Sequence, residues 1–132
     1  MLETGYALSG TSPAAFGETV DHVRRELKNH GFGVLCEIDV QQTLREKLGV
    51  ETGPYLILGA CNPPLAHRAL ALEPDLGVFL PCNVVVSERD DTVRVAAVDP
   101  GLLASATGND GLDPVAADVG RLLRAVVDAV TG

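Results

Sequence analysis

The chain has 132 residues, 46% of them hydrophobic, and a formal net charge of -8. That length holds one domain, 1–132, with enough apolar residues for a core; aromatics are only 4% and Trp is absent, so the core is expected from Val, Leu and Ala. The acidic balance works against nucleic acid and anionic membrane surfaces, both of which call for basic clusters, and no run reaches the ~18 apolar residues of a membrane span.

Thr4 to Ser9 alternates, with Tyr6 and Leu8 on one face, and reads as a strand. Ser12-Pro13 reads as the cap and first residue of a helix that carries Phe16, Val20, Val23 and Leu27 and stops at Gly31. Regular alternation then predicts a strand with Phe32, Val34, Cys36 and Ile38 facing the core. Asp39, with Gln42 following, caps a short helix whose inward stripe is Val40, Leu44 and Leu48 and which Gly49 ends. Pro54 to Cys61 predicts a third strand. Asn62-Pro63-Pro64 caps and starts a helix with Leu65, Ala66, Ala69, Leu70 and Leu72 on one side and His67 and Arg68 on the other.

Leu76 to Ser87 reads as one long strand, distorted at Pro81, with Val78, Leu80, Cys82 and Val84 inward. Glu88-Arg89-Asp90-Asp91 is a polar hairpin turn, and Thr92 to Val98 is the returning strand. Leu103 to Gly111 is small and polar and reads as a mobile loop. Asp113-Pro114 repeats the cap signal for a terminal helix lined by Val115, Val119, Leu122, Leu123, Val126 and Val130. The order is β-α-β-α-β-α-β-β-α. The hairpin and the short middle helices favour an α+β fold, a mainly antiparallel sheet of about five strands with helices on one face, over a doubly wound parallel sheet.

Three strings stand out: GFGVLCEIDV from Gly31, LGACNPPLAHRAL from Leu58 and LPCNVVV from Leu80, with VAAVDP from Val95. In these the chain resembles the domain-of-unknown-function 302 family, from about Phe16 to the terminal helix. The resemblance implies a fold likened to the TATA-binding-protein arrangement, a curved antiparallel sheet backed by helices, and a homodimer. It implies no established activity and transfers no catalytic residue, and a shared fold does not carry DNA binding with it.

The two Cys-Asn pairs, Cys61-Asn62 and Cys82-Asn83, each lie where an apolar run meets a break. Cys61 and Cys82, with His67 beyond, offer soft ligands for zinc or copper, yet the Cys-x-x-Cys knuckle of structural zinc sites is missing. Buried inert thiols are the more common use of such cysteines. Asn62 reads as a helix cap; Asn83 interrupts an apolar strand and either satisfies backbone groups or faces a ligand. Glu37 and Asp39 are two carboxylates at one strand end, with Asp39 needed as a cap and Glu37 free to pair with Lys47 or Arg45.

Cys36 is expected to be buried and inert. Cys61, near the positive end of the Pro63 helix, is expected to be the faster thiol. Leu35, Phe79, Val85 and Val98 fall on the parity opposite to the core set, and an apolar second face marks a subunit or ligand surface. The leading expectation is a non-catalytic homodimer that binds a small, partly apolar ligand beside Cys61, Asn62, Cys82, Asn83, Glu37 and His67. A thiol- or soft-metal-dependent protein using Cys61 and Cys82 is the alternative, and an acid–base enzyme using Glu37 and His67 the third. No cofactor is indicated. Three cysteines, an odd count, and an N-terminus without a basic or apolar leader point to the reducing cytoplasm.

Overall fold

Alternating Val, Leu and Ala residues build the centre of a single sheet. The computed structural model describes residues Met1–Gly132. Six strands, β1 Leu2–Glu3, β2 Ala7–Ser12, β3 Gly33–Asp39, β4 Tyr55–Cys61, β5 Cys82–Arg89 and β6 Thr92–Val98, lie in the order β1-β2-β6-β5-β4-β3. Every neighbouring pair is antiparallel. The helices are α1 Phe16–Asn29, α2 Val40–Leu48, α3 Pro63–Leu72, α4 Gly101–Thr107 and α5 Asp113–Thr131.

One face of the sheet is covered by α1 and α5. Leu8, Leu58, Val84, Val86, Val95 and Ala97 rise from the strands to meet Val23, Leu27, Leu123, Val126 and Val127, all essentially inaccessible. Each such Val or Leu side chain contributes about 1.5–3 kcal/mol through burial. Five strands of this size would satisfy the expected fold; the sixth, β1, is too short for alternation to reveal. It pairs with β2 and is tied to α5 where Arg124 donates to Glu3 Oε1 at 3.1 and 2.8 Å, a bond that lowers the Glu3 pKa.

Several boundaries differ from the sequence reading, each for a local reason. Ser12 belongs to β2 and α1 starts only at Phe16. The Ser12 hydroxyl accepts from Ala14 N at 3.1 Å and meets the buried Thr19 hydroxyl at 2.7 Å, so it holds the strand-to-helix turn instead of capping. The strand read from Leu76 begins at Cys82. Pro74–Phe79 is a 3-10 turn, and a cis Leu80–Pro81 peptide joins it to β5. Val78, placed in the core by parity, is therefore 83% exposed.

The stretch read as a mobile loop forms α4 and a 3-10 turn at Asp110–Leu112, with Leu103 and Ala104 buried. Its small residues include good helix formers, and Asp99 Oδ1 accepts from Gly101 N at its start. Asp113 is the first residue of α5, with Leu112 before it in the capping place. The caps of α2 and α3 are as expected: Asp39 accepts from Gln42 N and Asn62 from Leu65 N. No residue of α2 is buried, however, because the helix stands at the β3–β4 edge. The Asp90-Asp91 turn has both residues at positive φ, as a two-residue hairpin that follows the sheet twist requires. No helix is long and apolar enough to cross a membrane.

Candidate functional site

Two cores meet in this molecule, and they do not quite close. The larger lies under the sheet and includes Phe32, Ala60 and Cys82 at its end. The smaller gathers Ala69, Leu76, Leu103, Ala104, Leu112 and Val115 from α3, α4, α5 and the 3-10 turns. Val119 of α5 packs against both. At the seam is a pocket of ≈ 250 Å³, lined by 19 residues of which 16 are hydrophobic.

Local sequence explains the opening. β4 ends at Cys61 because Asn62 caps α3 and Pro63 and Pro64 enter the first turn. β5 starts only at Cys82 because Pro81 offers no N–H to the ladder. Two adjacent strands thus stop together, and the chain leaves the sheet on both sides of the gap. Leu65, Ala66, Ala69 and Leu70 of α3 form one wall; Leu103 of α4 and Val115, Ala116 and Val119 of α5 form another.

Of the residues singled out in the sequence, Cys61, Asn62 and Cys82 line this pocket. Asn62 is spent on the α3 cap, its Oδ1 accepting from Leu65 N at 3.3 Å. That leaves the two thiols as the polar features of the wall. Cys82 is buried, and burial together with Cys61 pushes its pKa up to about 11. Such a thiol stays protonated at neutral pH and is a poor metal ligand or nucleophile. No group of three or more His, Cys, Asp or Glu stands close enough together to hold a metal ion.

The other candidates lie elsewhere. Asn83 points to the opposite face of the sheet, next to Val85 and Ser87 in a broader groove. Glu37 is on the edge strand β3, bonded by Arg24 of α1, not by Lys47 or Arg45; Arg45 pairs with Glu51. His67 is exposed on α3, beside Arg68, which reaches Asp118 of α5 at 3.1 Å. Neither Glu37 nor His67 lines a pocket.

Cys36 overturns its expectation: it is exposed, not buried. The register of β3 against β4 slips between Val34 and Cys36, where Leu35 bulges. The slip reverses the facing of everything after it. Cys36 and Ile38 therefore share the outer face with Gly59 and Ile57, while Leu35 swings to the pocket. The expected apolar second face is likewise not one surface: Val85 and Val98 lie in the outer groove, Leu35 at the pocket, and Phe79 on a 3-10 turn. The sequence reading missed α4 as a pocket wall. It also missed Arg94, whose lone charge between Val93 and Val95 was the available signal.

Fold and site together define an α+β domain, an open antiparallel sheet with helices packed on one face and an apolar pocket where two strands end. The family described as "Domain of unknown function DUF302" matches residues 8–130, and the chain belongs to that family. It is similar to the crystal structure of the uncharacterized conserved protein DUF302 from Bacillus stearothermophilus, with 31% identity over 96% of this chain and 99% of that chain, at a TM-score of 0.90. No curated protein matches the chain.

Proposed function

We propose that this is a non-catalytic, self-associating domain that binds a small apolar ligand in the pocket where β4 and β5 end. The observation that carries the reading is the chemistry of that wall: sixteen hydrophobic residues (among them the two cysteines, with one thiol held neutral), two prolines, and an Asn62 spent on a helix cap. Such a wall binds by excluding water from apolar surface and selects by shape. A cavity of ~150 Å³ holds benzene, so ≈ 250 Å³ suits a ligand of about ten non-hydrogen atoms. The strongly acidic chain is a poor match for nucleic acid, and three free thiols suit a reducing compartment such as the cytoplasm.

Indole is a neutral probe of suitable size. At a hundred times its Kd it should stabilise the fold by about 2.7 kcal/mol, which raises the Tm by several degrees. Ala66→Phe, which fills the pocket from α3, should abolish the shift while leaving a cooperative transition. A panel of neutral aromatic and aliphatic probes that leaves the Tm of the parent protein unmoved would sink the reading.

Self-association is proposed on exposed apolar residues beside the pocket mouth. Leu35 and Leu70 line the pocket yet are substantially exposed, and Val78 and Phe79 are exposed between the pocket residues Leu76 and Leu80. A stable pair would cover on the order of 1,200 Å² or more in total. Light scattering at micromolar concentration should give twice the chain mass, and Phe79→Glu should return it to one. A single-chain mass for the parent protein removes self-association from the proposal.

A further inference from the structure

We infer that the outer face of the sheet carries a second, separate site, for a small amphipathic monocarboxylate, with Arg94 as its anion anchor. The antiparallel register arranges this face in transverse rows. Thr11, Arg94, Ser87 and Tyr55 form a polar row. Ser9, Ala96, Val85 and Ile57 form the next, its middle apolar. Val98 follows on β6 and Asn83 on β5. Residues two apart along a strand are roughly 7 Å apart, so a head group at Arg94 would lay its body across Ala96 and Val85 to Val98.

Tyr55, Ser87 and Arg94 of the first row and Val85 and Ala96 of the second line a groove of ≈ 970 Å³ whose sides include Val40 and Leu44 of α2 and Tyr6 before β2. The electrostatics single out an anion. Arg24, Arg45, Arg68, Arg89, Arg121 and Arg124 each have a carboxylate within 4.0 Å, whereas Arg94 has none. Its protein partner is Ser9 Oγ, which accepts from Nη2 at 2.9 Å. Ser9 is fully buried, so this contact fixes the guanidinium while Nε and Nη1 stay without a protein acceptor.

The other charged lining residues are Glu88 and Arg89. Glu88 shares strand parity with Val84 and Val86, which directs its carboxylate to the helix face; Arg89 shares parity with Ser87 and faces the groove. A chain of net charge -8 thus places one cation without a carboxylate partner, Arg94, in an amphipathic bed, with Arg89 at its edge beside Asp90. A planar carboxylate matches the free side of an oriented guanidinium fork, and the apolar row receives a hydrocarbon body.

Octanoate is the probe, with octanol as its uncharged counterpart, followed through backbone amide resonances of the full chain. Octanoate should shift the amides of Ser87, Arg94 and Ala96 saturably. Octanol should act there at least ~10-fold more weakly, the loss expected for one charge-assisted contact. Arg94→Gln, an exposed position that leaves the core intact, should weaken octanoate by the same factor, and Arg94→Lys should restore part of it. Running the titration on Ala66→Phe as well keeps the two sites apart: the outer-face shifts should persist there. The inference is overturned if octanoate shifts only α3 and α4 amides, if octanol binds the groove equally, or if Arg94→Gln changes nothing. It is also overturned if the same amides move with protein concentration alone, which would place a second copy in the groove.

Discussion

Gly59→Ala should lower the stability of this protein by about 2–3 kcal/mol, in the upper part of the range for overpacking a tight site. Gly59 is the outer-face residue of β4 opposite Cys36. A Cβ built there would stand 2.5 Å from Cys36 Sγ and 2.8 Å from Pro81 Cγ. The sulfur has one rotatable bond with which to retreat; the proline ring is part of the backbone that delivers β5 and has none. The added methyl therefore has to push β4 away from one of two neighbours, and one of them, Pro81, lines the pocket. In a domain of this size the loss corresponds to a Tm lowered by about 10 °C. Cys36→Ala in the same chain should recover part of the loss by removing the nearer atom, with the coupling of 0.5 kcal/mol or more expected for residues in contact. A Gly59→Ala protein that melts within 1–2 °C of the parent would show that the close approach of Cys36 and Pro81 is not rigid.

That same triad explains what could and could not be read in the sequence. The apolar periods, such as Val23 and Leu27 in α1 or Leu123 and Val126 in α5, lie where the spacing puts them, and the caps Asp39 and Asn62 hold, because each signal is local. The Cys61 and Cys82 ends of the strands were legible for the same reason: Asn62-Pro63 and Pro81 break β structure whatever surrounds them. β3 was not. Its alternation from Phe32 to Ile38 is regular, yet only Phe32 and Val34 face inward, since the bulge at Leu35 is imposed by pairing with β4 and leaves no mark in β3 itself. The mark is twenty-odd residues away, in the glycine that makes room for the Cys36 sulfur. The outer groove was hidden for a related reason. Arg94, Ser87 and Tyr55 come from three strands, and only the register makes them neighbours.

The register also sets the order in which the thiols react, and the order differs from the expectation that Cys61 leads. Cys36 should be alkylated first by iodoacetamide under native conditions, since the bulge brings it to the surface. Cys61, half-buried in the pocket wall, should follow, and Cys82 should be slowest by far. A pKa of about 11 lowers the thiolate fraction of Cys82 roughly 100-fold below that of a thiol titrating near 9, before access is counted. The same shift makes a prediction for stability. The folded state holds the Cys82 proton more tightly than the unfolded chain, so this contribution is fully present below the unfolded pKa near 9. It is lost as pH rises from about 9 to about 11, a fall of about 2–3 kcal/mol. Urea midpoints measured across that window should drop, and Cys82→Ala or Cys82→Val should flatten the slope. A bound neutral ligand should slow alkylation of Cys61 and leave Cys36 untouched, because only the former lines the pocket. If Cys82 is modified within tenfold of Cys36 in the folded protein, the seam between the two cores opens to water. The neutral, apolar wall on which the ligand reading depends would then be lost.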